Sequence, residues 1–230
     1  RMTSLKVLAL KGNNFSGDLP FEIVDLKNME WMYLASNQLT GTIPEGFGNM
    51  IEFKYLNLSN NQFTGVIPSL FGKLNKLQYL NLSHNQLTGN IPATMGNLNI
   101  YRLNLEYNQL TGNIPVEFGD LIDIVHLDLE SNQLEGEIPR TLFSLKRIKS
   151  LELHNNQLIG GLPDSISGLD ALEELNLSNN RITGPIHENL GKLRNLKELN
   201  LSFNNFDGGI PTDLFNNKNL EILYIHANDL

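Results

Sequence analysis

Carboxylates and one histidine recur at fixed intervals in the middle of the chain. Glu106, Glu130 and His154 are 24 residues apart, as are Asp128 and Glu152. Clustered carboxylates could coordinate a hard cation such as Ca²⁺, bind a basic ligand, or act as the acid pair of a glycoside hydrolase. Each of these chemistries requires a fold that brings residues 24 positions apart into contact.

The rest of the sequence does not support the catalytic or metal-binding alternatives. It contains no glycine-rich phosphate loop, no H-E-x-x-H, no G-x-S-x-G and no kinase signature. No compact loop supplies the oxygen ligands of a calcium site, and the five histidines are expected to be scattered and exposed. We therefore predict no enzymatic activity, no metal site and no cofactor. The cluster is interpreted as a solvated acidic face, with the docking of a basic ligand as the alternative.

The only tryptophan and several tyrosines share the same interval. Trp31, Tyr55 and Tyr79 are 24 residues apart, Tyr33 follows the first by two residues, and Tyr101 lies near the third. Tryptophan and tyrosine combine a large contact area with a polar group and are common in binding hot spots, although they also suit β-strands. We predict that these five residues form a contact patch for a ligand.

Five Asn-x-Ser sequons offer sites for N-glycosylation in a secreted eukaryotic protein. They are Asn14, Asn57, Asn81, Asn176 and Asn200. The last four belong to a recurring Asn-Leu-Ser tripeptide, so the repeat itself also explains them. Glycans at these positions would cover part of one face.

A repeat of about 24 residues organises the chain. The repeats, called coils 1 to 10 below, begin at residues 5, 29, 53, 77, 100, 124, 148, 172, 196 and 220. The spacing falls to 23 once, and we place the missing residue in the turn at 97–99. One asparagine occupies the same slot in every coil: Asn13, Asn37, Asn61, Asn85, Asn108, Asn132, Asn156, Asn180, Asn204 and Asn228. Stacked amides of this kind can satisfy backbone groups at a tight bend.

The hydrophobic pattern shows how these residues are positioned. In each coil the apolar residues at positions four and six alternate with polar ones, which predicts a short strand with one buried face. Recurrent glycine and proline, such as Gly89 and Pro92, then turn the chain. Stacked coils would bury a continuous core and leave positions three, five and seven free for binding. Seven phenylalanines are expected in core positions: Phe15, Phe47, Phe53, Phe63, Phe71, Phe118 and Phe206.

The consensus L-x-x-L-x-L-x-x-N-x-L-x-G-x-I-P-x-x-L-G-x-L-x-x over residues 5–230 resembles the plant-type, extracellular leucine-rich repeats. The resemblance implies a leucine-rich-repeat solenoid, an α/β-type right-handed superhelix. One short strand per coil would form a parallel concave sheet, with 3₁₀ or extended segments on the convex side. We predict a single domain over 1–230. The family's terminal caps are absent, which predicts a segment of a longer protein.

Composition narrows the choice of partners. The net charge is −8 and no basic run occurs, which disfavours nucleic-acid binding. No apolar stretch is long enough to insert into a membrane. Cysteine is absent, which excludes disulfides and thiolate sites. The family resemblance favours a non-enzymatic module at the cell surface or outside the cell, the ligand-binding segment of a receptor-like protein. It would bind a protein or peptide on the concave face; the oligomeric state is not predicted.

Other interpretations of the solenoid remain open. It could be a structural or adhesive element of an extracellular assembly, with contacts along its edges or convex side. The resemblance extends to polygalacturonase inhibitors, so inhibition of a cell-wall hydrolase is a third function. A column of threonines, Thr40, Thr64, Thr88 and Thr111, suggests ice binding, although Glu135 interrupts it.

Overall fold

The computed structural model describes residues 2–230 and contains one strand per coil in a single parallel sheet, called the main sheet below. Its strands are Val7–Ala9, Trp31–Tyr33, Tyr55–Asn57, Tyr79–Asn81, Arg102–Asn104, His126–Asp128, Ser150–Glu152, Glu174–Asn176, Glu198–Asn200 and Ile222–Tyr224. Each strand pairs in register with the strand of the next coil, and the middle residue points into the core. This arrangement confirms the leucine-rich-repeat solenoid.

A second set of short strands follows the main-sheet strands in coils 1 to 9. These strands are Ser16–Asp18, Gln38–Thr40, Thr64–Val66, Gln86–Asn90, Gln109–Asn113, Gln133–Glu137, Gln157–Ile159, Thr183–Pro185 and Asn205–Asp207. The five from Thr64–Val66 to Gln157–Ile159 form one parallel sheet, called the side sheet below. A glycine within each strand or directly after it adopts a positive φ, such as 72° at Gly112, which other residues rarely adopt. The sequence predicted a turn at this point but not a sheet.

Short 3₁₀ helices cross the opposite side of the coils. They are Phe21–Asp25, Glu45–Asn49, Ser69–Lys73, Ala93–Asn97, Val116–Asp120, Arg140–Ser144, Asp164–Gly168 and Glu188–Lys192, and coil 9 has a short α-helix at Thr212–Phe215. Proline precedes every helix except one, because its fixed φ suits the entry to a helix. His187 replaces that proline, and its Nδ1 caps the helix by accepting a hydrogen bond from Asn189 N at 3.1 Å.

The core is a continuous stack of apolar side chains between these layers. Two corrections to the expected core follow from stacking. Phe15 is 47% exposed because no described coil packs against the outer side of coil 1. Phe143 is buried, although the corresponding residue in coils 2 to 5 is glycine. At Gly72 in that column, an added Cβ would come within 2.3 Å of the Thr94 carbonyl oxygen of the next coil. Glycine at such a site therefore sets how closely neighbouring coils approach.

The repeated asparagines tie each coil to its neighbour. Asn132 Oδ1 accepts a hydrogen bond from Leu110 N at 3.0 Å, and its Nδ2 donates to the carbonyls of Leu105, Leu129 and Glu130. The same donation to backbone carbonyls recurs from Asn13 to Asn228. The residue before the asparagine has a left-handed backbone in coils 2 to 10, with φ between 50° and 57°. This conformation turns the carbonyls toward the amide.

The shorter coil 4 preserves the register of the main sheet. Tyr79 pairs with Arg102 and Asn81 with Asn104, 23 residues later. The residue after the 3₁₀ helix, Leu98, is extended with ψ of 142°, whereas its counterpart Leu74 has ψ of 64°. The deletion is thus absorbed in the turn. Within residues 2–230, no helix has the length and apolarity needed to cross a membrane.

Candidate functional site

Aromatic side chains form a stack on the outward face of the main sheet in coils 2 to 4. The Tyr55 and Tyr79 rings are parallel within 5°, with centroids 4.2 Å apart, and Tyr33 packs on Tyr55 at 4.6 Å. Trp31 lies beside Tyr55 in the strand register. All four residues are half-buried, so each presents part of its ring to solvent. We call these four residues the aromatic patch.

Tyr101 lies outside this patch. It precedes the strand Arg102–Asn104 by one residue and is 43% exposed. Arg102, not Tyr101, takes the place next to Tyr79 in the sheet. The stacked aromatic surface therefore ends at Tyr79, because the third position of coil 5 is Arg102 and Tyr101 lies at the second position.

Charged residues flank the aromatic patch. Lys54 Nζ lies 4.9 Å from the centroid of the Trp31 ring and 2.6 Å from a carboxylate oxygen of Glu30. Lys6 contacts the other oxygen of Glu30 at 2.9 Å. The hydrogen bonds from Lys54 and Lys6 lower the pKa of Glu30. The ion pairs of Glu30 with Lys6 and Lys54 therefore link coils 1 to 3 at one edge of the aromatic patch.

Burial also affects the tyrosine stack. It raises the pKa of Tyr55 to about 12, with additional contributions from Tyr79 and Tyr33. The Tyr55 hydroxyl therefore stays protonated throughout the physiological range, with Asn57 and Tyr79 as its hydrogen-bonding neighbours. Asn81 Nδ2 donates to the Tyr79 hydroxyl at 3.3 Å.

The predicted acidic residues come together in coils 5 to 7, and His154 lies among them. Its Nε2 forms a very short contact with Glu130 Oε2. Its Nδ1 lies 3.2 Å from Glu152 Oε2, at an angle that makes an ion pair rather than a directed hydrogen bond. The histidine side chain is 17% exposed. The expectation that all five histidines are exposed is therefore wrong for His154, and also for His126 and His187, which are half-buried.

The protonation states follow from these contacts. Burial opposes protonation of His154, but the contacts with Glu130 and Glu152 outweigh it and raise its pKa to about 9. The hydrogen bond with His154 lowers the pKa of Glu130. Burial, reinforced by the charge of Glu106, raises the pKa of Asp128 to about 7. His154 thus neutralises one side of the cluster, while Glu106 and Asp128 have no cationic partner among residues 2–230.

A hollow of about 340 Å³ opens on the main sheet beside the cluster. Asn104, Asp128 and Glu152 line it from the fifth position of coils 5 to 7. Arg102, His126 and Glu174 line it from the third position. Burial, and secondarily Arg102, lowers the pKa of His126. The hollow therefore carries three carboxylates and one permanent cation.

Glu130, Glu152 and His154 are also the one group of three potential metal ligands found among the described residues. One ligand atom from each lies within 4.8 Å of the others. The histidine already forms ion pairs with both glutamates, so a metal ion would have to displace its proton. The geometry alone does not make this group a metal site.

The five sequons differ in exposure. Asn14 is exposed and contacts Gln38. Asn57 is 9% exposed, and its Oδ1 accepts hydrogen bonds from Ser59 N and Ser59 Oγ at 3.0 and 2.7 Å. The amide oxygens of Asn81, Asn176 and Asn200 are likewise bonded to the serine two residues later. Asn14 is therefore the most accessible of the five.

Comparisons with known proteins place the chain in a family. A leucine-rich repeat model matches residues 27–87, and a leucine-rich repeat region model matches residues 101–228. The second match alone covers more than half of the chain. The protein therefore belongs to the leucine-rich repeat family. A comparison with curated proteins finds no match.

Solved structures show the same fold. The chain is 33% identical to a chain of the PEPR1–AtPEP1 crystal structure, with a TM-score of 0.92, over 97% of this chain and 32% of that one. It is 34% identical to the Arabidopsis receptor kinase HAESA in complex with the peptide hormone IDA and the co-receptor SERK1. That match has a TM-score of 0.78 and covers 99% of this chain and 43% of that one. The chain thus spans less than half of these proteins.

A plant ice-binding protein is similar over a larger share of its own length. It is 31% identical to the chain, with a TM-score of 0.82, over 100% of this chain and 77% of that one. The three matches agree on the fold and differ in what their proteins bind.

Proposed function

We propose that this chain is a non-enzymatic, extracellular recognition module that binds a peptide across the outward face of its main sheet. The observation that carries the proposal is the match to HAESA in complex with a peptide hormone, over 99% of this chain. The aromatic patch supports it, because stacked tyrosines and a tryptophan on rigid strands offer contact area at little entropic cost. The absence of catalytic motifs is consistent with this function.

The experiment selects ligands from a phage-displayed library of random 12-residue peptides on the purified chain. Enriched peptides are then measured against the variant Trp31→Ala/Tyr55→Ala/Tyr79→Ala. Truncating three hot-spot side chains is expected to weaken binding at least tenfold, since each such residue is worth about 2 kcal/mol or more. The control variant is Phe21→Ala/Phe215→Ala, which removes two aromatic side chains that are 79% and 69% exposed and lie on helices.

The control variant should bind the enriched peptides as the natural chain does. Enrichment of no related peptides would contradict the proposal. So would peptides that bind the aromatic-patch variant and the natural chain equally well. Circular dichroism of each variant checks that the solenoid remains folded.

A second candidate function is ice binding, favoured by the match that covers 77% of a plant ice-binding protein. The side sheet presents Thr88 and Asn90 in one strand and Thr111 and Asn113 in the next, in outward positions. Glu135 and Glu137 interrupt this polar array in the following strand. Thermal hysteresis and inhibition of ice recrystallisation test the candidate. Loss of either activity in Thr88→Tyr/Thr111→Tyr, with the aromatic-patch variant unaffected, would place the function on the side sheet.

A further inference from the structure

The hollow on the main sheet adjoins acceptor atoms that lack donors. Asn104 Oδ1 and Glu106 Oε2 are buried, and neither has a hydrogen-bond partner among the described residues. The two side chains are joined through their other atoms, since Asn104 Nδ2 donates to Glu106 Oε1 at 3.3 Å. Buried acceptors without donors are costly. A ligand that brings N–H groups would remove that cost.

The charges around the hollow determine which kind of hydrogen-bond donor a ligand should bring. Asp128 is a neighbour of both Glu106 and the hollow, and Glu152 and Glu174 also line the hollow. His154 balances Glu130 and Glu152 but does not contact Glu106 or Asp128. Arg102 also lines the hollow, so three carboxylates face one permanent cation. A cationic donor would therefore still gain from both hydrogen bonding and charge. A volume of about 340 Å³ is at the lower end for binding pockets and suits a single side chain.

We propose that this hollow binds the arginine or lysine side chain of an extended peptide whose apolar residue packs on the Tyr33–Tyr55–Tyr79 stack. This inference rests on the proposed function, because it specifies the ligand of the same face. Asn104 and Asp128, which line the hollow, accept hydrogen bonds from the ligand cation, and Glu106, which is bonded to Asn104, adds negative charge beside them. The aromatic patch binds the apolar side chain, and the rigid main sheet fixes the distance between the two.

The geometry of the sheet sets the spacing in the ligand. Neighbouring strands are about 4.8 Å apart. Tyr79 in coil 4 and Tyr55 in coil 3 are two and three strands from Asp128 in coil 6, roughly 10 and 14 Å. An extended peptide advances about 3.3 Å per residue. The apolar and the basic residue should therefore be three or four positions apart.

The competing occupant is a metal ion on Glu130, Glu152 and His154. Histidine already supplies a positive charge there through contacts with both glutamates. The unpaired acceptors lie instead at Asn104 and Glu106, where a donor of hydrogen bonds is required. His126 lines the same hollow, but burial lowers its pKa, so it does not supply a positive charge there. The contacts thus favour an organic cation over a metal.

The experiment uses the peptides enriched on the natural chain and analogues in which arginine is replaced by citrulline, or lysine by norleucine. Affinities are measured for the natural chain and for Glu106→Gln/Asp128→Asn. We expect the neutral analogue to bind the natural chain at least tenfold more weakly, and the variant to bind both peptides alike. The control Glu135→Gln/Glu137→Gln removes two charges from the side sheet and should retain the full preference.

The outcomes separate this inference from the proposed function. Peptides that depend on the aromatic patch but have no basic residue at the expected spacing would overturn the inference and leave the function standing. If the control Glu135→Gln/Glu137→Gln lost the preference for the charged peptide to the same extent, the preference would depend only on net charge. That result would also overturn the inference. Ca²⁺ or Zn²⁺ alone binding to the natural chain, but not to Glu106→Gln/Asp128→Asn, would make the hollow a metal site instead.

Discussion

Single residues on this solenoid acquire their chemistry from neighbours 24 positions away. His154 illustrates this, because its two carboxylate partners come from its own coil and the preceding one. The sequence predicted that the acidic residues would meet, since the repeat fixes their columns. It did not predict the charge balance, because protonation depends on burial as well as on proximity. The result is an acidic cluster with an internal counter-ion and two unpaired carboxylates.

The pKa of His154 leads to a prediction about stability. Its folded pKa of about 9 lies above the ordinary value of 6.5, so its contribution is complete below pH 6.5 and is lost as pH rises through 9. His154→Gln should therefore lower the free energy of unfolding by about 2 kcal/mol at pH 6 and by much less at pH 10. Urea unfolding at the two pH values measures the difference.

The exposed His226 supplies a control for this measurement. His226→Gln should change the free energy of unfolding by less than about 0.5 kcal/mol at either pH. Nuclear magnetic resonance gives a direct test, in which the His154 ring should titrate near pH 9. A midpoint at or below 6.5 would contradict the ion pairs described above.

At the scale of the element, the asparagine column holds each coil to the next. Asn132→Ala would leave the carbonyls of Leu105, Leu129 and Glu130 and the amide of Leu110 without their side-chain partner. One unsatisfied buried group costs about 1–3 kcal/mol. We expect a loss of roughly 3 kcal/mol in the free energy of unfolding, measured with urea.

The neighbouring Gln133 makes a matched comparison, since it is also an amide but is exposed. Gln133→Ala should be nearly neutral. If both variants lost the same stability, the column would not have the structural role assigned to it.

The sequence predicted the main-sheet strand, the bend and the turn of each coil, but it did not predict the side sheet. The asparagine, glycine and proline columns indicated the strand, the bend and the turn, because each position requires a particular backbone chemistry. The side sheet was missed because its strands are interrupted by glycines such as Gly112, which usually weaken a strand. Burial of Phe143 was missed because it departs from the repeat. Tyr101 does not extend the tyrosine stack because it lies at the second position of coil 5, one residue before the strand Arg102–Asn104.

At the scale of the whole molecule, every coil depends on its immediate neighbours. Main-sheet strands pair only with those of adjacent coils, and the asparagine bonds to neighbouring backbone join residues 21 to 27 positions apart. Paired lysines and glutamates follow the same rule, as in Lys149–Glu173–Lys197, whose hydrogen bonds lower the pKa of Glu173 to about 2. Stability in such an array is close to a sum of nearest-neighbour terms.

Amide hydrogen exchange should reflect this arrangement. Inner coils, such as the strands Arg102–Asn104 and His126–Asp128, have partners on both sides and should be protected longest. Coils 1 and 10 should exchange first, because opening them breaks one interface instead of two. Mass spectrometry of exchanged peptides measures the gradient. Asn132→Ala should create a second fast region in the middle, whereas uniform protection along the chain would contradict nearest-neighbour stacking.

The position of Trp31 has a practical consequence. It is the only tryptophan in the chain, and it lies at the aromatic patch beneath Lys54 and beside the tyrosine stack. Intrinsic fluorescence excited at the indole therefore reports from that surface alone. A ligand that settles on the tyrosines will change the emission without any dye or tag, so occupancy can be followed in plain solution.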